Sequence, residues 1–61
     1  MKEYKIGDKS VWIAYDGHSK KYKIEVRKGV EVVGEMECSK KQGERIIEFL
    51  ELLGVEKIWD F

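Results

Sequence analysis

Lys21-Tyr22-Lys23-Ile24-Glu25-Val26-Arg27 alternates charged and apolar side chains without a break; Lys28-Gly29-Val30 interrupts the pattern, and apolar and acidic residues then interleave through Glu31-Val32-Val33-Gly34-Glu35-Met36-Glu37-Cys38. A period of two belongs to a half-buried strand, because successive side chains of extended backbone leave on opposite faces. Two such runs joined by a short glycine-containing segment read as a β-hairpin. Taking Lys28-Gly29-Val30 as a three-residue loop sets Val26 opposite Val32, Ile24 opposite Gly34 and Tyr22 opposite Met36 on the core side. The same register sets Arg27 against Glu31, Lys23 against Glu35 and Lys21 against Glu37 on the solvent side, three opposite-charge pairs contributing about 0.2 to 1 kcal/mol each. A one-residue slip would turn the charged row inward, so the pattern specifies which face is buried. It also gives the basic residues of the strand acidic neighbours, which makes the open sheet face a poor platform for phosphates.

Upstream, Ser10 to Tyr15 is rich in β-branched and aromatic residues and runs into Asp16-Gly17-His18-Ser19, a turn-forming cluster, so it reads as another strand. Glu3 to Ile6 alternates as well, and Gly7-Asp8-Lys9 reads as a turn, which suggests a short first strand or an extended arm. Downstream, Ser39-Lys40-Lys41-Gln42 is a capping box: the serine hydroxyl accepts from the Gln42 amide while the Gln42 side chain reaches back. Gly43, Ile46, Ile47, Leu50 and Leu53 then fall at three- and four-residue spacings and form a core stripe. Gly43 lets the helix approach the sheet closely, at a cost of about 1 kcal/mol in helix propensity relative to alanine. Gly54 ends the helix. Phe49 and Leu52 lie on the flank of the stripe, and the tail from Val55 to Phe61 has the apolar bulk to cover them, to add a last strand or to make a dimer contact.

The expected fold is α+β: a three- to four-stranded antiparallel meander followed by one C-terminal helix packed on one face, of the β-β-β-α type, with room for a short extra strand at either end. Strands are expected at about 10–15, 21–27 and 31–38, a helix at about 40–53 and a tail at 55–61, all in a single domain over residues 1–61. A chain of 61 residues holds one core and buries roughly 60% of the surface its unfolded form exposes, so homodimerisation is a ready source of extra stability.

The 12 basic residues balance the 12 acidic ones, so no global field draws the protein to nucleic acid or to an anionic membrane, and binding of that kind must come from a local patch. No apolar run approaches the about 20 residues a membrane span requires, and no signal sequence is evident. Cys38 is the only cysteine and His18 the only histidine, which leaves no intramolecular disulfide, no metal site and no cofactor to expect, and suggests a reducing, cytoplasmic setting. With 39% charged residues, no Asn, Thr or Pro and Gln42 as the only Gln, the composition resembles that of proteins from hot environments. No paired-carboxylate pocket, Cys-His constellation or Gly-rich phosphate loop suggests an enzyme. Cys38, on the core side of its strand, reads as a small buried hydrophobe, and Trp12 as a core or interface residue.

One local resemblance adds to this reading. Tyr22-Lys23-Ile24-Glu25-Val26, Val33-Gly34-Glu35 and Ser39-Lys40-Lys41-Gln42-Gly43 resemble the central strand, the third strand and the Ser-Lys-Lys-x-Ala helix opening of double-stranded RNA-binding domains. His18, four residues before Tyr22, resembles their loop histidine, with Gly17 near the loop glycine. The likeness covers roughly residues 15–53, and the family's first helix has no counterpart here. It implies a non-catalytic module that binds double-stranded RNA, with His18 entering a minor groove and Lys40 and Lys41 holding phosphates; Lys20 and Lys21 are expected as further contacts on that hypothesis. Lysines in a helix's first turn oppose the positive end of its dipole unless an anion sits there, in keeping with that role; ordinary surface charge is the alternative. The competing expectation is a protein-interaction or homodimerisation domain using Phe49, Leu52, Ile58, Trp59 and Phe61 as an apolar surface.

Overall fold

The two alternating runs pair as a hairpin. In a computed structural model of the chain, which describes residues 1–60, β1 (Lys2–Ile6), β2 (Lys9–Asp16), β3 (Lys21–Lys28) and β4 (Glu31–Ser39) precede helix α1 (Lys40–Leu53), and β5 (Glu56–Asp60) follows it. The strands form one antiparallel sheet in the order β4-β3-β2-β1-β5. The α+β meander with a C-terminal helix on one face is therefore present, enlarged to five strands because both the N-terminal segment and the tail join the sheet. Phe61 lies outside the described residues.

Since β4 and β5 are opposite edges, the connection between them must cross the sheet. The core follows from that path: Tyr4, Ile13, Ile24, Cys38 and Leu50 take one buried side chain from each of β1, β2, β3, β4 and α1. Val11, Tyr22, Ile46, Ile47 and Val55 pack around them. Cys38 is buried among these apolar groups as a small hydrophobe.

The β3–β4 register differs from the expected one by two residues. Lys28 pairs with Glu31, so the turn is the two residues Gly29-Val30, with Gly29 at φ 63°. This is the position at which a type II′ hairpin turn takes glycine. Arg27 then pairs with Val32 but Val26 with Gly34, so Val33 is the extra residue of a bulge. The turn and the bulge contribute one residue of shift each. From Gly34 to Cys38 the shift of two leaves every side chain on its expected face, whereas Glu31 and Val32, shifted by one, exchange faces, so Val32 lies beside Arg27 on the open face instead of opposite Val26 in the core. Ile24 accordingly opposes Met36, and Tyr22 opposes Cys38.

On the face away from the helix the charge pairs are redistributed. Lys23 opposes Glu37, Lys21 opposes Ser39 and reaches diagonally to Glu37 (Nζ to Oε1, 3.7 Å), and Glu25 directly opposes Glu35. Arg27 turns to Glu25 on its own strand, donating from Nη2 to both carboxylate oxygens at 3.3 and 3.2 Å, and its guanidinium carbon lies 4.3 Å from the Trp12 ring centroid. Trp12 is thus a half-buried residue of the open face and lies outside the helix-side core.

At the end of the helix one further expectation is corrected, and of the three roles open to the tail the last strand is the one adopted. Leu53 is exposed although it continues the core spacing. Gly54, at φ 71°, donates to Glu51 O at 3.1 Å, and Val55 N donates to Leu50 O at 3.3 Å, so the left-handed cap folds Val55 back beside Leu50 into the place the spacing assigned to Leu53. The tail does not cover Phe49 and Leu52, which stay exposed, because its backbone pairs with β1 instead.

Ion pairs pin that last strand. Lys57 Nζ lies 3.0 Å from Glu51 on the helix and 3.1 Å from Asp60, and Lys2 Nζ lies 2.7 Å from Asp60. These contacts hold the Glu51 and Asp60 carboxyls below their ordinary pKa, chiefly through hydrogen bonds from Lys57 and Lys2 respectively, and raise that of Lys57. The Tyr4 hydroxyl is fully buried beside Glu51 without closing a well-aligned hydrogen bond, and burial first, then Glu51, pushes its pKa up.

Candidate nucleic-acid interface

Four residues, Gly17 to Lys20, connect β2 to β3, and Asp16 organises them. Its Oδ1 accepts from His18 N at 2.9 Å and its carbonyl accepts from Lys20 N at 2.8 Å. The first of these bonds is the Asx-turn device, and it is the leading cause that keeps the Asp16 carboxyl below its ordinary pKa. Lys20 closes the turn at φ 58°, the only non-glycine residue of positive φ among those described. His18 and Lys20 are held at the rim by this backbone while their side chains remain exposed.

The β3–β4 pairing brings the helix start to the same end. Lys21 opposes Ser39, which caps α1: Ser39 Oγ accepts from Gln42 N at 3.2 Å, and Gln42 Oε1 accepts from Ser39 N at 3.4 Å. The capping box leaves the remaining first-turn amides facing outward beside Lys40 and Lys41, with no acidic residue in that turn. Tyr15 and Tyr22, with ring centroids 5.0 Å apart, support the junction, and Lys40 Nζ lies 5.7 Å from the Tyr15 centroid. Gly43 permits the close crossing, since a Cβ there would overlap Cβ, Cγ and Cδ2 of Tyr22.

All five residues read from the sequence, His18, Lys20, Lys21, Lys40 and Lys41, therefore belong to one end of the sheet, where the β2–β3 turn and the start of α1 meet. They are not equally available. Lys21 is shared with Glu37 and Lys40 leans on Tyr15, whereas the side chains of His18, Lys20 and Lys41 have no hydrogen-bond or ion-pair partner among the described residues. The role of Tyr15 was not foreseen; its alternation with Ile13 was the available signal. Among the described residues no three His, Cys, Asp or Glu side chains are grouped as a metal site, and no helix is long and apolar enough to cross a membrane.

The residues of the competing expectation divide between two surfaces. Phe49 and Leu52 are on the helix, whereas Trp59 pairs with Glu3, which pairs with Trp12, and so lies on the opposite face of the sheet. Ile58 is the bulge residue of β5, and Phe61 is outside the described residues. Glu3, buried between the two tryptophan positions, is a feature of that open face that the sequence did not signal. No protein-family model, curated protein or solved structure gives a match to this chain.

Proposed function

We propose that this chain is a non-catalytic nucleic-acid-binding module that holds the phosphates of double-stranded RNA at the end of the sheet formed by the β2–β3 turn and the start of α1. The observation that carries this reading is the pairing of Lys21 with Ser39, which sets the turn bearing His18 and Lys20 beside the helix start bearing Lys40 and Lys41. A helix N-terminus carries about half a positive charge, and four lysines around it make a local anion site in a chain with no net charge. The open sheet face supports the same choice by its composition: Lys21, Lys23 and Arg27 there are matched by Glu25, Glu35 and Glu37, so it offers a phosphate backbone no excess of positive charge. Exposed loop and helix-start contacts suit a duplex read by shape and backbone; unstacked bases require an aromatic platform, and Trp12 and Trp59, which could form one, lie on the open face of the sheet among balanced charges and outside this lysine group.

The test is a fluorescence-anisotropy titration of a labelled RNA duplex of about 20 base pairs, long enough for a domain that spans about 16. Duplex DNA and single-stranded RNA serve as competitors. The expected result is binding to duplex RNA that weakens with salt, and a Lys40→Ala/Lys41→Ala variant whose log-log salt slope is smaller by roughly 2. Absence of binding at low salt, or a variant that binds like the parent, overturns the proposal.

A further inference from the structure

The outward surface of α1 carries a feature that the RNA-binding reading leaves unused. Phe49, Leu52 and Leu53 are 62%, 81% and 61% exposed, although they sit in the middle and last turn of the helix that anchors the core. Gln42, Arg45, Phe49 and Leu52 follow one another at spacings of three, four and three, the a/d repeat of a coiled-coil seam. Arg45, Glu48, Phe49 and Leu52 line a shallow groove of about 250 Å³. Residues i, i+3, i+4 and i+7 are the four that form the hole for a side chain of a facing helix. The surface is therefore shaped for another helix.

Sheet width leaves space for one. Five strands at about 4.8 Å spacing span about 19 Å, whereas one helix covers about 10 Å. Met36 shows the shortfall: it opposes Ile24 on the helix side of β4 and is still 53% exposed. Glu51 meets Lys57 in β5, and at 100° per residue Phe49 and Leu53 point to the other flank of the helix, away from β1 and β5.

We infer that a second copy of this chain occupies this surface, with the two α1 helices packed antiparallel about a twofold axis near Phe49. Self-complementarity favours a copy of the chain over a different partner. When the helices run antiparallel with Phe49 near the axis, Phe49 of each enters the Arg45–Glu48–Phe49–Leu52 hole of the other, and Arg45 comes abreast of the partner copy's Leu52. The charges follow the same symmetry. On the outward surface Lys41 and Arg45 precede Glu48 along the helix, Glu44 and Glu51 standing on the flank toward β5, and no basic residue lies in the last turn. This order opposes the helix's own dipole and matches that of an antiparallel neighbour. A parallel pair would set lysines against lysines. In the antiparallel pair the two Glu48 carboxylates near the axis are bracketed by the two Arg45 guanidinium groups.

The experiment is light scattering coupled to size exclusion on the full chain from about 10 μM to about 1 mM, the range in which an interface below standard size is half-populated. Three variants accompany it: Phe49→Glu, and Phe49→Cys and Glu44→Cys, each in a Cys38→Ala background. The expected result is a concentration-dependent dimer, weakened more than about tenfold by Phe49→Glu with an unchanged far-UV circular dichroism spectrum. Phe49→Cys should oxidise to a disulfide-linked dimer, whereas Glu44→Cys in the same background, on the flank away from the axis, should not. A monomer throughout the range overturns the inference, as does a dimer indifferent to Phe49→Glu or one in which both cysteine variants cross-link equally. RNA binding plays no part in these readouts, so the two proposals stand or fall separately.

Discussion

Replacing Gly43 with alanine brings two effects of opposite sign together at one carbon atom. Alanine is favoured over glycine inside a helix by about 1 kcal/mol, so an exposed Gly43 would be stabilised by the change. Gly43 is buried at the crossing of α1 over Tyr22, and the added Cβ would overlap Cβ, Cγ and Cδ2 of that side chain. Rotating Tyr22 about χ1 moves Cδ2 but not Cβ, which is fixed to the backbone of β3, so relief requires the helix to lift from the sheet. Overpacking of this kind costs about 1 to 3 kcal/mol, and a clash that no rotamer removes belongs at the upper end. The net expectation is a loss of about 1 to 2 kcal/mol. For a domain of this size each kcal/mol moves Tm by about 4 to 8 °C, so thermal unfolding followed by far-UV circular dichroism should show a drop of roughly 5 to 15 °C. A Tm equal to or above that of the parent chain would refute the close crossing, and with it the geometry that joins the helix start to the β2–β3 turn.

Two other outcomes follow from particular contacts. Glu35→Lys places a cation opposite Glu25 and should stabilise the fold by about 0.2 to 1 kcal/mol at low salt, with the gain fading in concentrated salt; destabilisation in urea unfolding would contradict the β3–β4 register. Burial and the neighbouring Glu51 raise the Tyr4 pKa, so its contribution is complete below the unfolded tyrosine value near 10 and is lost as pH rises through the higher folded value. Lys57, also raised, acts in the same direction. Tyr4→Phe should therefore unfold less steeply than the parent above about pH 10 when followed by tryptophan fluorescence, and identical alkaline profiles would refute this reading.

The hairpin shows what the sequence could and could not resolve. Alternation over Lys21–Arg27 identified the strand and its buried face, because both are set by a period of two. The partner assignments were ambiguous for the same reason: lysines at 21 and 23 and glutamates at 35 and 37 repeat every two residues, so registers two apart both look complementary. The bulge at Val33 decided between them, and nothing in Val32-Val33-Gly34 marks which residue is extra. The capping box and both helix ends were legible because each depends on bonds among near neighbours. Leu53 was misjudged because the exchange of Val55 for Leu53 depends on how the chain turns at Gly54. At the candidate site the residues were legible individually, whereas their assembly at one end rests on the Lys21–Ser39 pairing, a consequence of the same hidden register.

Lys2 and Asp60 are neighbours across the β1–β5 ladder, so the first and last strands leave the sheet about 5 Å apart. A linker of a few residues spans that gap, and the domain can be closed into a ring or set into a surface loop of a host protein without stretching either connection. The exit lies at the same end of the sheet as the β2–β3 turn, since Lys2 pairs with Ile13 near the end of β2. The Gly29-Val30 tip, at the far end of the longest hairpin, lies away from both this exit and the lysines of the candidate interface and is a suitable place for a fluorophore.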